Sequence, residues 1–332
     1  MRLRALAALV LAFFGCSAQN GSGAAPLPGV IKTIELDAGV QIDGIAIGRD
    51  GDVWLAATNY GNNPAGVFRV RPHGEVDHIA RIESVNRAAV DADGIAWFTI
   101  GAGSSGQQPK LLRIDKAGSV HEFALPPEGN FQGITIGSDG APAFADAASG
   151  EVWRIDKAGA LAHYTAATTD ADEITAAPDG DLWFTETNGN SIGRIHPADG
   201  SLKEYVIPTP RAKPLGIAIG SDGFIWFCES GAGKIGRVAS DGRMTEFRIA
   251  TAGSSPDEIA AGHDALWFTE PATSTVGRIA RDGRIAEFAV PGGGRPGPIA
   301  GAADGSIWFV SNGERQALGL ATGRSRLVHF RG

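Results

Sequence analysis

The sequence predicts an all-β protein, a seven-bladed β-propeller of four-stranded antiparallel blades, on three observations. A Trp-Phe pair or its counterpart recurs at Trp54, Trp97, Ala143, Trp183, Trp226, Trp267 and Trp308, a period of about 40–45 residues that fits one blade per copy. Each copy opens with two short alternating runs joined by a tight turn, as at Pro178-Asp179-Gly180, which is a hairpin signal. The 47 glycines of the 332 residues fall at regular intervals inside the copies, so they mark turns and not disorder.

The fourth copy, Asp172–Ile195, shows the pattern most fully, and it returns as Asp257–Ile279 and more loosely as Leu215–Val238. Third strands are expected at Val67–Val70, Leu111–Ile114, Val152–Ile155, Ile192–Ile195, Ile235–Val238, Val276–Ile279 and Ala317–Leu320. Fourth strands are expected at Val120–Phe123, Leu202–Tyr205, Met244–Phe247, Ile285–Phe288 and Leu327–Phe330. Up-and-down order then puts the Asp-Gly turns on one face and the longer, variable segments on the other, where loops held by a rigid scaffold carry function. Repeated arginines (Arg69, Arg113, Arg154, Arg194, Arg237, Arg278) and glutamates (Glu122, Glu204, Glu246, Glu287) are expected to pair across the third and fourth strands. The tryptophans are expected between neighbouring sheets. Ile31–Leu36 and Leu327–Phe330 both resemble a closing fourth strand, and the N-terminal one is expected to complete the ring, with the other pairing outside it or displaced.

Composition narrows the setting. Hydrophobic content of 43% with 20% charged residues fits a soluble globular protein, and a net charge of −8 disfavours nucleic acid and anionic membrane surfaces. Residues 1–16 read as an export leader: Arg2 and Arg4, then the apolar run Ala5–Phe14, then Gly15-Cys16. That run is too short to span a bilayer. Ala12-Phe13-Phe14-Gly15-Cys16 looks like a bacterial lipobox with Cys16 as the lipidated residue, and an ordinary signal peptide cut a few residues later is the alternative. The expectation is an exported monomer in the periplasm or outer cell envelope, touching membrane only through the lipid anchor. Residues 17–30 read as a flexible tether and 31–332 as the propeller. Cys228 is the other cysteine, so lipidation of Cys16 would leave no internal disulfide, and a lone strand thiol reads as a small core residue.

Leu182-Trp-Phe-Thr-Glu-Thr-Asn-Gly-Asn-Ser-Ile-Gly-Arg-Ile195, Ala265-Leu-Trp-Phe-Thr-Glu-Pro-Ala-Thr-Ser-Thr-Val-Gly-Arg-Ile279 and Ile207-Pro-Thr-Pro210 resemble the virginiamycin B lyase (streptogramin B lyase) family. The similarity runs over essentially the whole mature chain. It implies magnesium-assisted, non-hydrolytic opening of a cyclic depsipeptide: a histidine removes a proton α to the carbonyl, the alkoxy group β to it is expelled, and a glutamate-held metal stabilises the enolate. The family carries one histidine after a proline at the head of the sixth blade, a Glu-Pro-His-Gly-Ile segment heading the seventh, and a glutamate ending the seventh blade's second strand. Here those positions read Asp257 after Pro256, then Arg295-Pro296-Gly297-Pro298-Ile299, then Val310-Ser311. The histidines present (His73, His78, His121, His163, His196, His263 and His329) fall on outer strands or opposite-face turns.

The carboxylates remain. Antiparallel hairpins put Asp172, Glu173 and Glu186 at one end of blade four, Asp257, Glu258 and Glu270 at the same end of blade six, and Glu229 in blade five, with Asp146 able to join from blade three. Gathered at one mouth, such charges must be protonated, paired with arginine or neutralised by a cation, and oxygen ligands suit Mg²⁺ or Ca²⁺. Two functions stay open. One is a metal-dependent C–O lyase or lactonase-type enzyme acting on a cyclic ester, with Asp257 or Glu258 as base and Asp172, Glu173, Glu186, Glu229 and Glu270 as metal or ligand residues. The other is a non-catalytic propeller in the cell envelope that grips a small-molecule, peptide or protein ligand at its mouth.

Overall fold

A computed structural model describes residues 24–38, 40–58, 65–102, 106–156, 159–165, 170–315, 321–322 and 324–331; Cys16 and the rest of the leader lie outside them. Seven four-stranded antiparallel sheets follow one another around a ring, the first six built in sequence order from the axis outward. Blade four shows the rule: Ile174–Ala176, Leu182–Glu186, Ser191–His196 and Ser201–Val206.

The repeated residues explain why each sheet closes. Phe184, Phe227 and Phe268 on second strands lie over Gly193, Gly236 and Gly277, their Cα partners on third strands. A Cβ at those glycines would fall 2.0–2.1 Å from the ring, so only glycine admits the aromatic layer. Each second-strand tryptophan packs onto the next blade, as Trp183 does against Ile217, Ile225 and Phe227. Blade three lacks it, and Ala143 fills the position against blade four. Trp153 on the third strand of blade three packs back toward Phe131 instead, with ring centroids 6.3 Å apart.

Register overturns the expected arginine–glutamate pairing. Arg194 faces Lys203 and Glu204 faces Gly193; Arg278 faces Ala286 and Glu287 faces Gly277. The two residue series are one position out of step and so lie on opposite sheet faces. The arginines turn to hairpin-turn aspartates instead, Arg69 to Asp52, Arg194 to Asp181, Arg154 to Asp139 and Arg278 to Asp264. Arg69, Arg194 and Arg237 each sit 5.1 Å from the ring of their blade's tryptophan, a cation–π distance.

Ring closure uses both terminal segments. Blade seven runs Arg295–Gly301, Ile307–Asn312, Arg324–Phe330 and then Val30–Ala38 at the outer edge. The N-terminal strand closes the ring, but Arg324–Phe330 is the third strand and not a displaced fourth. The stretch 316–320, where the third strand was expected, lies outside the described residues. The tether boundary also moves: Ala25–Pro26 pairs in parallel with Phe288 and Ala289 of blade six, and Leu27 is buried beside Val290 and Phe330. Residues 24–30 therefore belong to the folded body.

Candidate functional site

The inner strands direct a small set of charged residues to one end of the axis. A register shift between Val85 and Arg87 in blade two interrupts the regular pairing with the second strand, and such a bulge re-aims a side chain. Arg87 reaches across the channel: Nε donates to Glu173 Oε1 of blade four at 2.7 Å, and Nη2 donates to Glu258 Oε1 of blade six at 2.9 Å. Its Nη1 donates to the carbonyl of Asp43 in blade one at 2.7 Å. One guanidinium thus ties four blades together.

Beside it a cleft of about 190 Å³ is lined by Gln41, Asp43, Arg87, Asp257, Glu258 and Arg295, with Gly297 and Asn312 completing the wall. Burial pushes Glu258 up to about 8 despite the opposing pull of Arg87, with Glu173 and Asp257 adding to the rise. Glu173 is likewise raised by burial against the pull of Arg87. Burial also raises Asp257, which Arg87 and Arg295 act to lower. Asp172 is raised by burial too, with the Thr187 hydroxyl holding it down. For Arg87 itself, burial disfavours the charge, yet Glu173 and Glu258 more than compensate and keep it firmly protonated.

Six of the expected carboxylates divide into two sets. Glu173, Asp257 and Glu258 meet around Arg87. Glu186, Glu229 and Glu270 share the same end of their hairpins but are fully buried inside their own blades. Ser191 donates to Glu186 at 2.7 Å, and Glu270 accepts from Ser254 and from Thr275. Neither oxygen of Glu229 has a hydrogen-bond partner among the described residues; burial, then the Glu246 charge, pushes it up to about 8. Asp146 closes its own loop, accepting from the Asn130 and Ala148 amides and the Ser149 hydroxyl.

This donor set does not fit the expected Mg²⁺ or Ca²⁺. Among the described residues no group of three or more His, Cys, Asp or Glu side chains is arranged to hold a metal ion, and Glu173 and Glu258 are turned to a guanidinium. Cys228 is fully buried and burial pushes its thiol well up, as a core residue requires. His78, His163 and His329 stack on Phe68, Trp153 and Trp308 in the outer sheets. Arg87, Asp43 and Asn312 were not anticipated; the one sequence signal was an arginine amid the apolar inner-strand run Val85–Val90.

The virginiamycin B lyase family model matches residues 31–320. The chain belongs to the virginiamycin B lyase family. A virginiamycin B lyase from Nocardia farcinica (strain IFM 10152) is 29% identical over 177 residues, 53% of this chain and 58% of that relative, so the match spans less than two thirds of its length. The structure of a catalytically inactive virginiamycin B lyase variant from Staphylococcus aureus with quinupristin is 29% identical with a TM-score of 0.76, covering 90% of this chain and 98% of the other. A streptogramin B lyase structure is 30% identical, also at 0.76, covering 90% and 97%. The lyase-family positions identified in the sequence converge on one place: Asp257, Arg295 and Gly297 all line the cleft, and Asn312 follows Val310-Ser311 at its rim.

Proposed function

We propose that the propeller opens a cyclic ester or depsipeptide in the axial cleft by proton abstraction, with Asp257 as the general base. The observation that carries this reading is the state of Asp257. It lines the cleft, its pKa is raised by burial, and Arg87 and Arg295 both act on its charge. A cleft carboxylate whose pKa is raised by burial is suited to accept a proton. The proton leaves the carbon α to a carbonyl for Asp257. The electrons of that C–H bond form a double bond to the β carbon, and the β C–O bond breaks, its electron pair leaving with the ring oxygen as a carboxylate. Arg295, on the same cleft wall, supplies positive charge for the enolate oxygen.

Incubation of the full chain with a cyclic depsipeptide is expected to give a linear product of unchanged mass, whereas a lactonase reaction would give a product one water heavier. Asp257→Asn should lower turnover by about 10²-fold or more. The rate should rise with pH as Asp257 loses its proton. Because Arg295 holds that pKa down, Arg295→Gln should move the acid limb to higher pH. Neither product forming from any ester in a panel of depsipeptides and lactones would sink the reading.

The absence of histidine at 257 and 297 favours a second reading, a propeller that binds such a ligand without turnover. Calorimetry that detects ligand binding lost in Arg295→Gln, with the ligand recovered intact, would favour it. Either activity belongs outside the cytoplasm if the leader acts as read; a Cys16→Ser variant released from the envelope fraction would support lipid anchoring.

A further inference from the structure

We infer that Arg87 is the resident cation of the axial cleft, standing between Glu173 and Glu258 where a divalent ion would otherwise be needed, so that the cleft works without a metal. The inference concerns the cleft of the proposed reaction but holds equally if the cleft only binds its ligand. Three features of the geometry carry it. First, Glu173 Oε1 and Glu258 Oε1 both contact the same nitrogen, Nη2 of Arg87, at 2.7 and 2.9 Å, so the two carboxylates lie within reach of one cation and that cation is present. Second, the guanidinium is fixed from behind, by its Nη1 on the Asp43 carbonyl at 2.7 Å and on the Asn86 carbonyl at 3.3 Å, and its backbone amide donates to Thr99 Oγ1 at 3.2 Å. A planar fork held on four acceptors is pre-organised and does not leave its place as a hydrated ion does. Third, Arg295 lines the same cleft and acts, with Arg87, on the charge of Asp257. Positive charge is thus built into the chain on both sides of that carboxylate, and a further dication would meet repulsion.

The charged groups facing Arg87 are Glu173 from blade four, Asp257 and Glu258 from blade six, and Asp43 from blade one. Removing the guanidinium should therefore leave the Glu173, Asp257 and Glu258 carboxylates open to a hard cation. The test is titration of the full chain with Mn²⁺, followed by electron paramagnetic resonance, and with Mg²⁺ by calorimetry. Wild type is expected to show no saturable site at millimolar ion, and its melting temperature should not change with EDTA. Arg87→Ala is expected to bind Mn²⁺ at least tenfold more tightly than wild type, and Arg87→Ala/Glu173→Gln/Glu258→Gln to lose that gain.

Saturable Mn²⁺ binding by wild type that weakens in Glu258→Gln overturns the inference, as does a folded Arg87→Ala with no gain. If Arg87→Ala does not fold, the comparison of wild type with Glu258→Gln still decides. The readout is independent of turnover. A protein inactive on every ester yet indifferent to Mn²⁺ defeats the proposed reaction alone, whereas an active protein that takes Mn²⁺ through Glu258 defeats this inference alone.

Discussion

Glu186, Glu229 and Glu270 occupy one repeated position and meet three environments. Ser191 and Thr275 face the first and last as Cα partners and donate to them, whereas the partner of Glu229 is Lys234. The ammonium of Lys234 goes to Glu246 at 3.2 Å and to Thr209, which leaves Glu229 buried without a donor. Its folded pKa of about 8, against an ordinary 4.5, means that the folded state holds a proton which the unfolded chain releases. Stability should fall as pH rises from about 4.5 to about 8 and level off above. Glu229→Gln should remove that slope and stabilise the protein at pH 8–9 by about 1–3 kcal/mol, as read from denaturant melts. Its burial was legible in part, because each of these glutamates lies two residues after a core phenylalanine and period two puts both on one sheet face. Reading the mouth from strand ends alone overlooked that alternation.

At the scale of strands, the closing sheet shows where pattern runs out. Ile31–Leu36 and Leu327–Phe330 both alternate like outer strands, and nothing in that alternation distinguishes a third strand from a fourth. Pairing settles it, since Leu327 faces Val310 on one side and Ile34 on the other. The same limit applied to the arginine and glutamate series, whose recurrence was visible but whose one-residue offset was not. Ile34 is buried in the core shared with blade one, so Ile34→Ala should cost about 2–4 kcal/mol. Cleavage within 24–38 should become faster in limited proteolysis. Gly277→Ala, which sets a methyl against the Phe268 ring, should cost about 1–3 kcal/mol and lower the melting temperature without moving the Mn²⁺ response.

Across the whole molecule, the number of blades could be read from the sequence, but the meeting of Arg87 with residues 86 and 171 positions away could not. That meeting depends on ring closure and on the local register shift that turns one inner-strand side chain. Burial is the chief cause that raises Glu258 and Glu229 to about 8 and Glu270 to about 7. The intact propeller should therefore melt at progressively lower temperature from pH 5 to pH 9, and calorimetric scans over that range check the sign. A further consequence lies in the pairing of residues 30–38 with 324–330. Residues 30–38 gain their strand partner only once residues 324–330 have been made, so blade seven stays incomplete until then. Refolding should accordingly show a late, slow phase that zips the circle shut, and a permuted chain with its new ends elsewhere should shorten that wait.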